Sequence, residues 1–179
     1  MARWLAGSLG LLVAAFASAQ SPPRVSVDGR GPARIGMTES ALSDALGVRV
    51  VDPDPGVYDG DCRYVYARSR PAATGASAMA SDDVGYMLIK DRLVRIDIES
   101  AADATLSGAR VGMTEAALRA LYPGRLAEEP HHYGGPEDHY LTLHSADGRR
   151  GIRFETGGGV VTRFYAGTAD AIQFVEGCL

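Results

Sequence analysis

Four histidines, His131, His132, His139 and His144, lie within fourteen residues, with Glu137 and Asp138 among them. Neutral imidazole is a good donor to Zn²⁺ or Cu²⁺, and a carboxylate can complete the shell. A hairpin turning at Gly134-Gly135-Pro136, with Tyr133 opposite His139, would make His132 and His139 the candidate metal ligands. Strand alternation sets His139 and His144 on opposite faces, so solvated hairpin histidines account for the cluster without a metal, and no cofactor is expected.

Other reactive sets are thinner. Asp52, Asp54, Asp59 and Asp61 suggest a calcium loop, but Pro53 and Pro55 interrupt it and Arg63 stands where a closing Glu is needed. Gly75-Ala76-Ser77-Ala78 is followed by Met79 where a nucleophile elbow requires Gly. With no ordered Ser–His–Asp set and no phosphate-cradling glycine loop, the chain reads as non-enzymatic. Tyr and Arg, enriched where proteins bind one another, supply the stronger signal. Tyr140, Arg153, Arg163 and Tyr165 fall on predicted strands and form the expected outward-facing binding set.

Cys62 and Cys178 are the two cysteines. In an oxidising compartment an even count favours pairing, which here closes a loop of over a hundred residues, worth roughly 4–5 kcal/mol by loop entropy. That compartment is expected from the N-terminus. Arg3 precedes the apolar run 5–16, and Ala17-Ser18-Ala19 offers a small-x-small cleavage site, so residues 1–19 read as a signal peptide. The run is shorter than the ~20 residues a spanning helix needs, so no membrane span is expected. The 179 residues carry 18 Lys+Arg against 22 Asp+Glu, a mild acidity that argues against a nucleic-acid partner. The expected destination is the periplasm or the medium.

The elements that must position these residues occur twice. Ala33-Arg34-Ile35-Gly36-Met37-Thr38-Glu39-Ser40-Ala41-Leu42 returns as Ala109-Arg110-Val111-Gly112-Met113-Thr114-Glu115-Ala116-Ala117-Leu118, with eight of ten positions identical. Thr38 and Thr114 are N-cap candidates, and Glu39 and Glu115 suit the first helical turn. Leu42, Ala45 and Leu46, like Leu118, Leu121 and Tyr122, share one helical face; Gly47 and Pro123-Gly124 stop the two helices. Beyond each helix the apolar period changes from 3.6 to 2, as in Cys62-x-Tyr64-x-Tyr66 and Ile152-x-Phe154. Turns are expected at Asp91-Arg92, Asp147-Gly148 and Gly157-Gly158-Gly159, and a long loop at residues 68–83. The predicted fold is α+β: an extended arm at 20–30, then tandem repeats at 31–104 and 105–179, each a short helix followed by an antiparallel sheet.

The duplicated (Ile/Val)-Gly-Met-Thr-Glu-x-Ala-Leu element, about 76 residues apart in a chain with an export signal, resembles the beta-lactamase inhibitor protein family. The resemblance implies two helix-plus-sheet domains whose joined sheets form a concave surface that clamps a protein partner. The same Gly-Met-Thr opening is similar to that of small outer-membrane assembly lipoproteins, which have one copy and a lipidated cysteine. The inhibitor family carries a disulfide within each domain, whereas this chain has only Cys62 and Cys178, and no inhibitory contact residue transfers. The reading is therefore an exported, monomeric binding module for a protein partner, inhibitor-like in form. The alternatives are a periplasmic metal-binding protein using the histidine hairpin, and an envelope structural or assembly factor.

Overall fold

The computed structural model describes residues 23–53, 55–56, 61–67 and 84–178. The signal segment, the long loop at 68–83 with Ser77, and Asp54 and Asp59 fall outside the described residues. The architecture is α+β. Strands β1 (Arg24–Ser26), β2 (Gly29–Arg30) and β3 (Ala33–Arg34) lead into helix α1 (Glu39–Leu46). Then come β4 (Val50–Val51), β5 (Cys62–Ala67), β6 (Val84–Ile89), β7 (Arg92–Ile98) and β8 (Ala104–Thr105). Helix α2 (Glu115–Leu121), β9 (Leu126–Pro130), β10 (His139–His144), β11 (Arg150–Gly157), β12 (Val160–Thr168) and a 3-10 turn at Ala171–Gln173 complete it.

Each helix begins as its sequence dictates. The Thr38 hydroxyl accepts from the Ala41 amide and the Thr114 hydroxyl from the Ala117 amide, both at 3.2 Å, satisfying one amide that a helix start otherwise leaves bare. Just upstream, Gly36 and Met37 bond reciprocally to Leu93 (2.7 and 2.8 Å), as Gly112 and Met113 do to Val161 (both 2.8 Å). These paired loops fix the helices against the strands, and one fully buried leucine from each, Leu42 and Leu118, anchors it in the core. Leu121 is 37% exposed, so the apolar stripe of α2 is narrower than its periodicity suggested.

Eight strands form one antiparallel sheet in the order β4-β5-β6-β7-β12-β11-β10-β9. β7 and β12 pair at its centre, from Phe164 opposite Ile98 to Gly167 opposite Arg95. Side chains alternating along each strand divide the sheet into two faces. Val65, Leu88, Ile96, Phe164, Phe154 and Leu141 join the helix leucines in one core. Tyr86 belongs to that buried set too, not to the opposite face.

Residues 24–30, read from sequence as an arm, enter a second, four-stranded sheet ordered β3-β2-β1-β8, where β1 runs parallel to β8. Arg30 clips it down with two bonds to the buried Asp103 carboxylate, at 2.8 and 3.1 Å. Two turns moved or sharpened relative to the sequence reading. The β6–β7 turn sits at Lys90-Asp91, one residue early, with φ of 49° and 57°, and the β11–β12 turn at Gly158-Gly159 has φ of 59° and 79°. Two successive positive-φ residues match the twist of a tight hairpin, which glycine adopts freely and Lys-Asp adopts at a cost.

A sheet face covered by the C-terminal segment

On β5 to β12, the residues between core positions face away from the helices. Among them are Tyr64, Arg95, Asp97, Tyr165, Arg163, Arg153, Glu155 and Tyr140, placed by the register in which Tyr165 lies opposite both Asp97 and Arg153, and Tyr140 opposite Glu155. The four residues expected to bind therefore share one face, as the alternation predicted. Their exposure differs from that expectation: Tyr140, Arg153 and Tyr165 keep only 2–3% of their surface, and Arg163 alone stays substantially open, its side chain 45% accessible. The cause is the chain itself. After β12 it turns back, and residues 169–178 cross β7, β12 and β11 on this face to the Cys62–Cys178 disulfide, while His131 and Arg153 lie against the Tyr140 ring.

Arg95 is the principal clasp. Its Nη1 donates to the carbonyls of Ala171 (3.1 Å) and Phe174 (2.6 Å), and its Nε and Nη2 hold Asp97 at 2.6 and 2.9 Å. The Tyr64 hydroxyl accepts from Arg95 (2.7 Å) and donates to Asp97 (2.6 Å). Burial works against the Arg95 charge, yet Asp97 more than compensates, so its pKa rises. For the Tyr64 phenol, burial and the Asp97 charge act together and push the pKa upward. The Arg95 guanidinium also lies 4.4 Å above the Tyr165 ring, and the Arg153 guanidinium 4.1 Å above the Tyr140 ring, both within cation–π range. Arg153 bonds Glu129 at 2.9 Å and the Gln173 side chain. His131 stacks on the far side of Tyr140 with centroids 4.5 Å apart and touches Glu155 at 3.2 Å.

Beneath the segment, Gly151 and Gly167 face each other across β11 and β12. A Cβ on Gly151 would meet the Ile172 Cδ1 at 2.7 Å and the Leu143 carbonyl oxygen at 2.9 Å, and one on Gly167 would meet the Val94 carbonyl at 2.3 Å. The missing side chain of Gly151 leaves a slot that Ile172, with no exposed surface, fills, while the missing side chain of Gly167 lets β7 approach closely. Past the slot the segment borders an open depression of about 650 Å³ lined by the disulfide, Ile89, His132, Tyr133, Phe174 and Glu176.

The two metal candidates are not brought together as a site. Pro130, not Tyr133, stands opposite His139, and the β9–β10 loop closes where His131 donates its amide to the Asp138 carbonyl (2.9 Å). His139 points to the helix side, where Nδ1 meets Glu115 at 3.1 Å and Nε2 lies 3.5 Å from Glu128. The His132 ring stands edge-on to Tyr133. Among the described residues no group of three or more His, Cys, Asp and Glu is arranged to hold a metal ion.

Glu115 is the hub on that side, accepting from Arg119 (2.6 and 3.0 Å), His139 (3.1 Å) and Thr156 (2.9 Å). Burial alone would raise its pKa; the bonds from Arg119, His139 and Thr156 outweigh it and hold the carboxyl below its ordinary 4.5. A depressed folded-state pKa gives stability that is present above the unfolded value and is lost as pH falls through the folded one. Urea titrations of Glu115→Gln are accordingly expected to lose less stability than the parent between pH 4.5 and pH 3; equal acid slopes would remove Glu115 from this role.

Sequence reasoning missed Arg95 and Asp97 as partners of this face and missed the covering segment. The available signal was the buried-type pair Ala171-Ile172 lying between a long strand and Cys178.

No family model matches the chain, and no curated protein matches it. Among solved structures it is similar to the crystal structure of the uncharacterized protein yfeY from Escherichia coli. That likeness has 13% identity and a TM-score of 0.48, and covers 80% of this chain and 99% of the other. Among the described residues no helix is long and apolar enough to cross a membrane.

Proposed function

We propose that this is an exported, non-enzymatic binding module that acts in the periplasm or medium as a monomer, engaging a protein partner through the helix-free face of its eight-stranded sheet. The observation that carries the reading is the composition of that face, where two Arg–Tyr cation–π pairs, held rigid by ion pairs, lie buried behind an open edge at Arg163. Aromatic and arginine side chains fixed before encounter lose little entropy on binding, which favours affinity. The disulfide fits an oxidising compartment.

The module is two copies of one unit. The equivalent caps at Thr38 and Thr114, the equivalent loop pairings of Gly36 with Leu93 and Gly112 with Val161, and the four strands each half gives to the sheet support that duplication.

A pull-down with oxidised, signal-cleaved protein from its own envelope and culture fluid tests the reading. One partner should be retained in stoichiometric yield with and without chelator, and Arg163→Gln, at the open edge of the face, should reduce capture about tenfold. Blank pull-downs in both conditions overturn the proposal. Binding lost only in chelator overturns it in favour of a metal-dependent function.

A further inference from the structure

A segment lying on a binding surface reports what that surface accepts. Residues 169–178 present small and branched apolar side chains, main-chain carbonyls and one amide, and each meets a matched feature: Ile172 the slot at Gly151, the Ala171 and Phe174 carbonyls Arg95, and Gln173 Arg153. Only Ala171 and Ile172 of this segment are buried; Gln173, Phe174 and Glu176 remain exposed. The fit is also incomplete. The Arg153 Nε and the Thr142 hydroxyl, on neighbouring strands beside the slot, are buried without a hydrogen-bond partner. Buried polar groups are nearly always paired, so these two mark where a better-fitting occupant gains bonds.

We propose that the helix-free face is a peptide-binding groove, occupied in cis by residues 169–178, whose partner is a short peptide that carries the same small–branched apolar–amide order as Ala171-Ile172-Gln173 and forms the same 3-10 turn. This rests on the protein-binding reading above and names the chemistry of the partner. The disulfide is the latch. The chain after Thr168 and the disulfide at Cys178 hold the cis segment at both ends, so a free peptide competes poorly until the Cys178 end is released and the segment can swing away from β12. The depression beside the segment opens onto Cys62 and Cys178, giving a dithiol reductant a path to them. Exchange with such a dithiol turns the Cys62–Cys178 bond into two thiols, while the reductant's own two thiols become its disulfide, having given up two electrons and two protons.

The test uses the full chain and a fluorophore-labelled synthetic peptide of residues 170–177, followed by anisotropy. Two opened forms are compared with the oxidised parent: the Cys178→Ser chain, and the Cys178→Ser, Ile172→Asp chain, in which the cis plug is also spoiled. Near-UV circular dichroism verifies that each remains folded, and the single variant serves if the double one does not fold. The opened forms are expected to bind the peptide at least tenfold more tightly than the oxidised parent, and the parent treated with dithiothreitol should match Cys178→Ser. A peptide with Ile172→Asp should lose at least tenfold. A folded, opened chain that ignores the peptide, or that binds both peptides equally, overturns the groove. Because the peptide assay needs no natural partner, its failure beside a successful pull-down sinks this inference and leaves the protein-binding reading standing.

Discussion

Unfolding by urea of the Cys62→Ala, Cys178→Ala protein is expected to give a free energy lower than the oxidised parent's by about 4–5 kcal/mol. The bond spans a sequence separation of 116, so it removes much of the freedom of the unfolded chain. Logarithmic growth of loop entropy is what limits even this long closure to a few kcal/mol. A typical domain is stable by about 5–15 kcal/mol, so the loss separates a robust fold from a marginal one. The variant should also show a larger m-value, because its unfolded chain is no longer cross-linked and exposes more surface. A loss below about 1 kcal/mol would mean that the reduced unfolded chain already holds its two ends together.

The second large effect belongs to Arg95. Replacing it with Ala strips Asp97 and the Tyr64 hydroxyl of their cationic partner, leaves the Phe174 carbonyl without its guanidinium donor and leaves the Ala171 carbonyl with the Phe174 amide alone. Removing one member of a buried ion pair costs about 3–5 kcal/mol, mostly from the charge left behind; the Asp97 side chain retains 21% exposure, which places the expectation at about 3 kcal/mol. Arg95→Lys should recover less than half of that, because an ammonium cannot span Asp97, Tyr64 and two carbonyls with one planar fork. Amide hydrogen exchange separates global from local effects. Both variants should lose protection first in residues 169–178, and unchanged protection there would show that the segment is held by the disulfide and Ile172 alone.

What the sequence revealed and what it withheld follow from the range of the interactions concerned. Thr38 and Thr114 were legible because a cap is a contact between residues three apart. The alternation that puts Tyr140, Arg153, Arg163 and Tyr165 on one face was legible because it is local to each strand. The Cys62–Cys178 pair was legible because two cysteines admit one pairing. Exposure was not, because the cover comes from residues whose own pattern, Ala-Ile-Gln-Phe-Val-Glu, has no clear period and whose position depends on tertiary contacts to Arg95 and Gly151. β9 escaped for a related reason. Glu128, Glu129 and Pro130 carry no strand pattern, and only their place at the sheet's margin, where a missing amide costs nothing, lets them form a strand. The small sheet depends on β1 reaching β8, nearly eighty residues away in sequence, a pairing that no local pattern encodes.

The central β7–β12 pairing carries a further consequence, for self-association. In either half alone, the strand at this seam would be an edge seven or nine residues long, with unbonded amides and carbonyls ready to recruit another chain. Joined, the two edges satisfy each other, and the outer margins that remain are poor templates: β4 is two residues long, and β9 presents exposed glutamates and ends in proline. The halves thus protect one another from sheet-to-sheet growth, and cutting the chain between them would turn two complementary strands into two sticky ones.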